Sequence, residues 1–134
     1  MGDDVAAVRE FFAAFVRRDA DALAAAMADD GVFQPLSTDA APRGAYLGPE
    51  GMRTYLRDLE ETWRQFDVTV SEMQEVDGHV LVTGRIYARA RASSLVADDP
   101  VAFVWQVRDG HVVWGAVFSG DTSARAAIAD RKNA

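Results

Sequence analysis

The segment best equipped for chemistry is HVLVTGRIYARARA, residues 79–92. Arg85 and Tyr87 stand two residues apart, and in an extended chain that spacing puts both side chains on one face. A guanidinium beside a phenol presents converging donors to a carboxylate, an enolate or a carbonyl. Arg89 and Arg91 continue the same face and are expected at a rim. His79 and His111 each follow an Asp-Gly pair, which assigns both imidazoles to solvated hairpin ends. Asp29-Asp30 closes a helix and Asp98-Asp99 sits in a loop. Both pairs are expected in solvent, the default state of aspartate. Asp39 is the acid of the longest loop and stays open as a base. There is no H-E-x-x-H and no glycine-rich phosphate loop. The absence of cysteine excludes a thiolate nucleophile, a disulfide and a Cys-ligated zinc. Neither a metal nor a cofactor is expected.

These groups need a frame, and the stretch VAFVWQVRDGHVVWGAVFS, residues 101–119, supplies its centre. Asp109-Gly110 between two apolar runs is a strong hairpin signal. Neither arm has a clean polar face, so the sheet must be covered on both sides. Asp77-Gly78 marks a second hairpin. At the start of the chain, Val5, Val8, Phe11, Phe12, Phe15 and Val16 recur at helical spacing after Asp3-Asp4. Asp19 can cap a second helix, with Leu23 and Met27 inward and Asp29-Asp30-Gly31 as its stop. A short strand follows over 32–36. Residues 37–48 form a loop holding Tyr46, which is either a core anchor or a ligand contact. Gly48-Pro49-Glu50 opens a third helix, whose apolar face continues through Met52, Tyr55, Leu56, Leu59, Trp63 and Phe66. Asp121 or Thr122 caps a last helix. The order α-α-β-α-β-β-β-β-α predicts an α+β fold with helices on one side of a curved antiparallel sheet.

A chain of 134 residues suits one domain spanning 1–134. A net charge of −7 makes nucleic acid and anionic membrane poor partners. The acidic start MGDDVAAV lacks the basic region of a signal peptide, and no apolar run has membrane-spanning length. A cytoplasmic protein is expected.

Four local motifs then matter by their order: Arg18-Asp19-Ala20-Asp21-Ala22-Leu23, Ala28-Asp29-Asp30, Tyr46 to Gly48, and Trp105 to Val112. Together they resemble the nuclear transport factor 2-like superfamily, in its ketosteroid isomerase-like and SnoaL-like polyketide cyclase branch. The resemblance covers nearly the whole chain. It implies a cone, in which a strongly curved sheet wraps an apolar pocket and the N-terminal helices close it; members are commonly homodimers. The family's catalytic groups do not carry over. Ketosteroid isomerases have an oxyanion-hole tyrosine where this chain has Phe11, a base aspartate where it has Gln34-Pro35, and a second acid near Phe103. Phenylalanine can neither take nor give a proton. The arginine of limonene epoxide hydrolases matches Arg85, but their carboxylates fall near Tyr87 and Val117. The His and Asp of SnoaL-type cyclases have no match at His79 or His111.

Three functions stay open. The preferred one is a small-molecule-binding protein for an apolar or polyketide-like molecule with a carbonyl or acid group. Its site would comprise Phe11, Phe15, Tyr46, Tyr55, Trp63, Phe103, Trp105 and Val117, with Arg85 and Tyr87 as the polar anchor. The others are an isomerase or cyclase using Asp39 or Tyr87, and a dimeric interaction module filled by its own aromatics. The hairpin pairing expected here puts Val82, Ile86, Val104, Trp114 and Phe118 on the face away from the helices, as a homodimer surface.

Overall fold

The computed structural model describes residues 2–35 and 44–132. In chain order the elements are α1 (Gly2–Val16), α2 (Ala20–Ala26), β1 (Met27–Gln34), β2 (Tyr46–Leu47), α3 (Gly48–Thr62), β3 (Trp63–Val76), β4 (His79–Ala90), β5 (Val96–Arg108), β6 (His111–Phe118) and α4 (Asp121–Lys132). The strands form one six-stranded sheet in the order β2-β1-β6-β5-β4-β3. Every neighbouring pair is antiparallel except β1 with β6, which run parallel, so the sheet is mixed. The curved sheet and N-terminal helices are the expected α+β cone.

Local chemistry explains much of this. Asp77 and Gly78 have φ of 48° and 78°, and Asp109 and Gly110 have 52° and 79°. Two successive positive φ values are what a tight two-residue hairpin demands. The Asp19 side chain accepts the Ala22 amide at 3.0 Å and starts α2. Gly48-Pro49-Glu50 opens α3, with proline in the first turn.

Several boundaries differ from expectation, each for a non-local reason. α2 stops at Ala26, and the Asp29-Asp30-Gly31 stretch is strand, because β1 finds a parallel partner in β6 from Met27 onward. α3 ends at Thr62, so Trp63 and Phe66 belong to β3. Their spacing of three mimics a helix. It arises from a register shift between Trp63 and Gln65, and that extra residue turns both rings inward. β5 starts at Val96 and takes Asp98-Asp99 into the sheet.

The largest correction concerns the sheet faces. Val80 pairs with Trp105, Leu81 with Val104 and Val82 with Phe103. Directly paired residues share a face, so Val80, Val82, Ile86 and Ala88 face the helices with Phe103 and Trp105. Arg85 and Tyr87 lie on the opposite, outer face. A one-residue slip in assumed register flips a whole strand. The expected five-residue patch is therefore divided. Val82 and Ile86 are inside the cone, whereas Val104, Trp114 and Phe118 lie outside, packed with Leu81 and Ala102 against Ala124 and Ile128 of α4.

Candidate functional site

The concave face closes on a small aromatic cavity. α1 contributes Phe11, Phe12 and Phe15, β1 contributes Phe33, and α3 contributes Tyr55. The sheet adds Phe66, Val68, Ile86, Phe103, Trp105 and Val117. Phe11 lies 4.7 Å from the Trp105 ring centre, Phe12 lies 5.2 Å from Phe103, and Phe33 lies 4.9 Å from Tyr55. Phe33 stacks on Trp105 at 5.8 Å and 10°. The remaining space is about 30 Å³. A water needs ~10–15 Å³ by this measure, whereas small-molecule pockets run to ~300–1,000 Å³. The rings fill most of the cone.

Gly115 makes this packing possible. It lies on β6, between Trp105 of β5 and Phe33 of β1. A Cβ built there would collide with Cε3 and Cζ3 of Trp105. The benzo edge of the indole thus lies over bare backbone, and the pyrrole N–H is on the other edge. Trp105 is 1% exposed, and its Nε1 has no hydrogen-bond partner among the described residues. An unpaired buried donor of this kind costs about 1–3 kcal/mol.

Phe11, Phe15, Tyr55, Phe103, Trp105 and Val117 were all expected here, and the structure brings them together. Tyr46 is the core anchor of the two alternatives. It is buried, its ring packs 5.2 Å from Tyr55, and its hydroxyl donates to Asp58 Oδ2 at 2.7 Å. Trp63 is buried against Phe66 at 6.0 Å, outside the lining, and among the described residues its Nε1 also lacks a partner. Arg85 is exposed and donates through Nε and Nη2 to Asp98 Oδ1 at 3.1 and 3.0 Å. Tyr87 stands beside it opposite Asp98 and Asp67. The Arg85–Tyr87 anchor is therefore outside the cavity, because the register places odd-numbered β4 residues outward. Asp39 lies outside the described residues.

Sequence reasoning missed Phe12, Phe33, Phe66, Val68 and Ile86 as lining residues. Phe12 carried a signal, since it stands on the same apolar stripe as Phe11 and Phe15. Phe66 was hidden by the bulge and Ile86 by the inverted face.

The cavity's electrostatics are simple. Among the described lining residues, Tyr55 is the one that can ionise. Burial pushes its hydroxyl well above the ordinary tyrosine range; the neighbouring Tyr46 adds to this and Arg18 opposes it. At neutral pH Tyr55 is a hydrogen-bond group and not a base. Gln34 and Pro35 lie outside the described lining, and Phe11 and Phe103, which are within it, have side chains of carbon only.

A larger cleft of about 690 Å³ opens between α2, the start of α3 and the β5–β6 hairpin. Its cations are already matched. Arg53 bonds Asp21 at 2.6 Å and Glu50 at 3.1 Å, and Arg108 bonds Asp30 at 2.8 Å. The Arg108 guanidinium holds the Asp30 carboxyl below its usual range. His111 is exposed at this cleft, as expected. His79 is not: it is 7% exposed, with Nδ1 2.9 Å from the Asp77 carbonyl and Nε2 accepting from Arg131 at 3.3 Å. α4 folds back over that hairpin end and takes it out of solvent. Among the described residues no His, Asp or Glu cluster could hold a metal. Nor is any described helix long and apolar enough to cross a membrane.

A cone of sheet around an aromatic interior defines a protein of the nuclear transport factor 2-like fold. Solved structures share it across almost the full chain. An NTF2-like protein of unknown function from Burkholderia pseudomallei K96243 is 22% identical, with 96% of this chain and 98% of that chain covered and a TM-score of 0.76. An NTF2-like protein from Burkholderia thailandensis E264 is 25% identical, with 92% and 94% covered and a TM-score of 0.75. TerC, co-crystallised with polyporic acid, is 19% identical, with 96% and 98% covered and a TM-score of 0.74. No curated protein sequence matches the chain. Within this fold the chain belongs to the SnoaL-like domain family, whose model matches residues 8–114.

Proposed function

We propose that this protein binds a small, mostly apolar aromatic molecule carrying a carbonyl, inside the concave cavity and without acid–base chemistry by the lining residues. The observation that carries this is the Trp105 indole N–H, buried without a partner among the described residues, in a wall whose other polar side-chain group is the Tyr55 hydroxyl. A ligand oxygen would satisfy it, and the surrounding rings suit a flat apolar body. The present space of about 30 Å³ requires the cavity to widen on binding. Phe66, Val68, Ile86 and Val117 are the half-buried walls, so the opening belongs on their side. Polyporic acid, the compound co-crystallised with TerC, is one natural probe.

The test is calorimetric titration with 2-acetylnaphthalene and with 2-ethylnaphthalene, which lacks the oxygen. The ketone should bind more tightly, and Trp105→Phe should cost it about five- to tenfold in affinity, the worth of one neutral hydrogen bond. The hydrocarbon should be indifferent to that change. The close ring packing favours a second reading, an interaction module whose interior holds no ligand. Failure of both probes to bind would support it.

A further inference from the structure

Arg18 occupies a position that glycine fills most easily. It follows α1 with a φ of 55°, its amide bonding the Phe15 carbonyl at 3.0 Å and the Asp19 amide bonding Ala14 at 3.0 Å. Helices often end this way, and a side chain there carries backbone strain. What the arginine gains is visible in its guanidinium. Nη1 donates to the Phe15 carbonyl at 2.7 Å, Nη2 donates to the Phe66 carbonyl, and the group lies 4.5 Å from the Phe15 ring centre. It is half-buried, and among the described residues no carboxylate pairs with it. Its charge reaches Tyr55, whose ionisation it favours. Phe15, Phe66 and Tyr55 all line the cavity. Arg18 thus ties α1 to the edge strand β3 beside the half-buried wall, using two main-chain carbonyls where a carboxylate would serve better.

We propose that Arg18 is both gate and anchor of the cavity: its guanidinium leaves the Phe66 carbonyl to pair with an acidic group on the aromatic ligand, so the site prefers aromatic acids to their neutral analogues. This rests on the binding reading above and specifies its ligand class. A carboxylate or acidic enol makes a charge-assisted, two-pronged bond to a guanidinium, stronger than a single bond to a neutral carbonyl. Breaking the Phe66 bond also frees β3 from the end of α1, on the side where the cavity must widen. Recognition of the acid and opening of the site would then be one event.

The experiment titrates wild type, Arg18→Met and Arg18→Lys with 2-naphthoate and 2-naphthamide at low and high salt. Wild type should bind the acid about tenfold more tightly at low salt, with the preference shrinking as salt rises. Arg18→Met should bring the ratio to about one and leave the amide's affinity unchanged or improved, since the tie is gone. Arg18→Lys should keep part of the preference. The salt series on wild type stands even where a variant folds poorly. A wild-type ratio of one or less, or a ratio that survives Arg18→Met, overturns the role of Arg18 while amide binding keeps the cavity reading. Binding of neither probe overturns both.

Discussion

The two faces of the same sheet are built from adjacent residues of the same strands, yet they solve opposite problems. The concave face holds Val80, Val82, Phe103 and Trp105 against the rings of α1 and α3, with almost no polar atoms and very little empty space. The outer face is split. One end is covered by α4 through Ala124 and Ile128, and the other carries the exposed Arg85–Asp98 pair. The concave face thus has few charges, and on the outer face Arg85 and Asp98 are spent on each other. The difference teaches that in a pleated sheet a residue's chemistry matters less than its parity.

Three substitutions sharpen the contrast, in descending order of effect. Phe11→Ala removes a ring that is 3% exposed and centred 4.7 Å from Trp105. A loss of roughly 3–5 kcal/mol is expected by chemical denaturation, the range for a large buried aromatic. Benzene should recover part of it by filling the void; a loss below about 1 kcal/mol would mean the interior is loosely packed. Gly115→Ala places a methyl into the Trp105 indole. Overpacking of this kind costs about 1–3 kcal/mol, and the tryptophan emission should shift as the ring is displaced. Arg85→Leu tests the outer face. The pair it breaks is half exposed on both sides, so stability should change by about 1 kcal/mol or less and ligand affinity not at all. Weakened binding of a carbonyl or acidic probe in Arg85→Leu would put the site back on the outer face and contradict the register of β4 with β5.

Much of the fold was legible because it rests on short-range chemistry. Asp77-Gly78 and Asp109-Gly110 bend where they do because positive φ is needed at both central residues of the turn. Asp19 caps α2, and the start of α3 follows from Gly48-Pro49-Glu50. About half of the cavity was legible too, since Phe11, Phe15, Tyr55, Phe103, Trp105 and Val117 stand on apolar faces that any packing must bury. Arg85 and Tyr87 were misplaced, and Phe66 and Ile86 overlooked, for one shared reason. Their directions depend on which residue of a neighbouring strand lies opposite, and on the extra residues at bulges in β3.

Sequence by itself thus determined the four helices, five of the six strands, the two hairpins and the aromatic character of the interior, while the short strand Tyr46–Leu47 fell in an expected loop. Tertiary structure decided which face of β4 points inward, that Trp63 and Phe66 belong to a strand, that α4 buries His79, and that Arg18 reaches Phe66 across 48 residues of chain. Turn and cap signals act within a few residues, where side chain and backbone meet directly. Register is a collective choice among whole strands, and each strand alone would satisfy its own alternation equally well either way round.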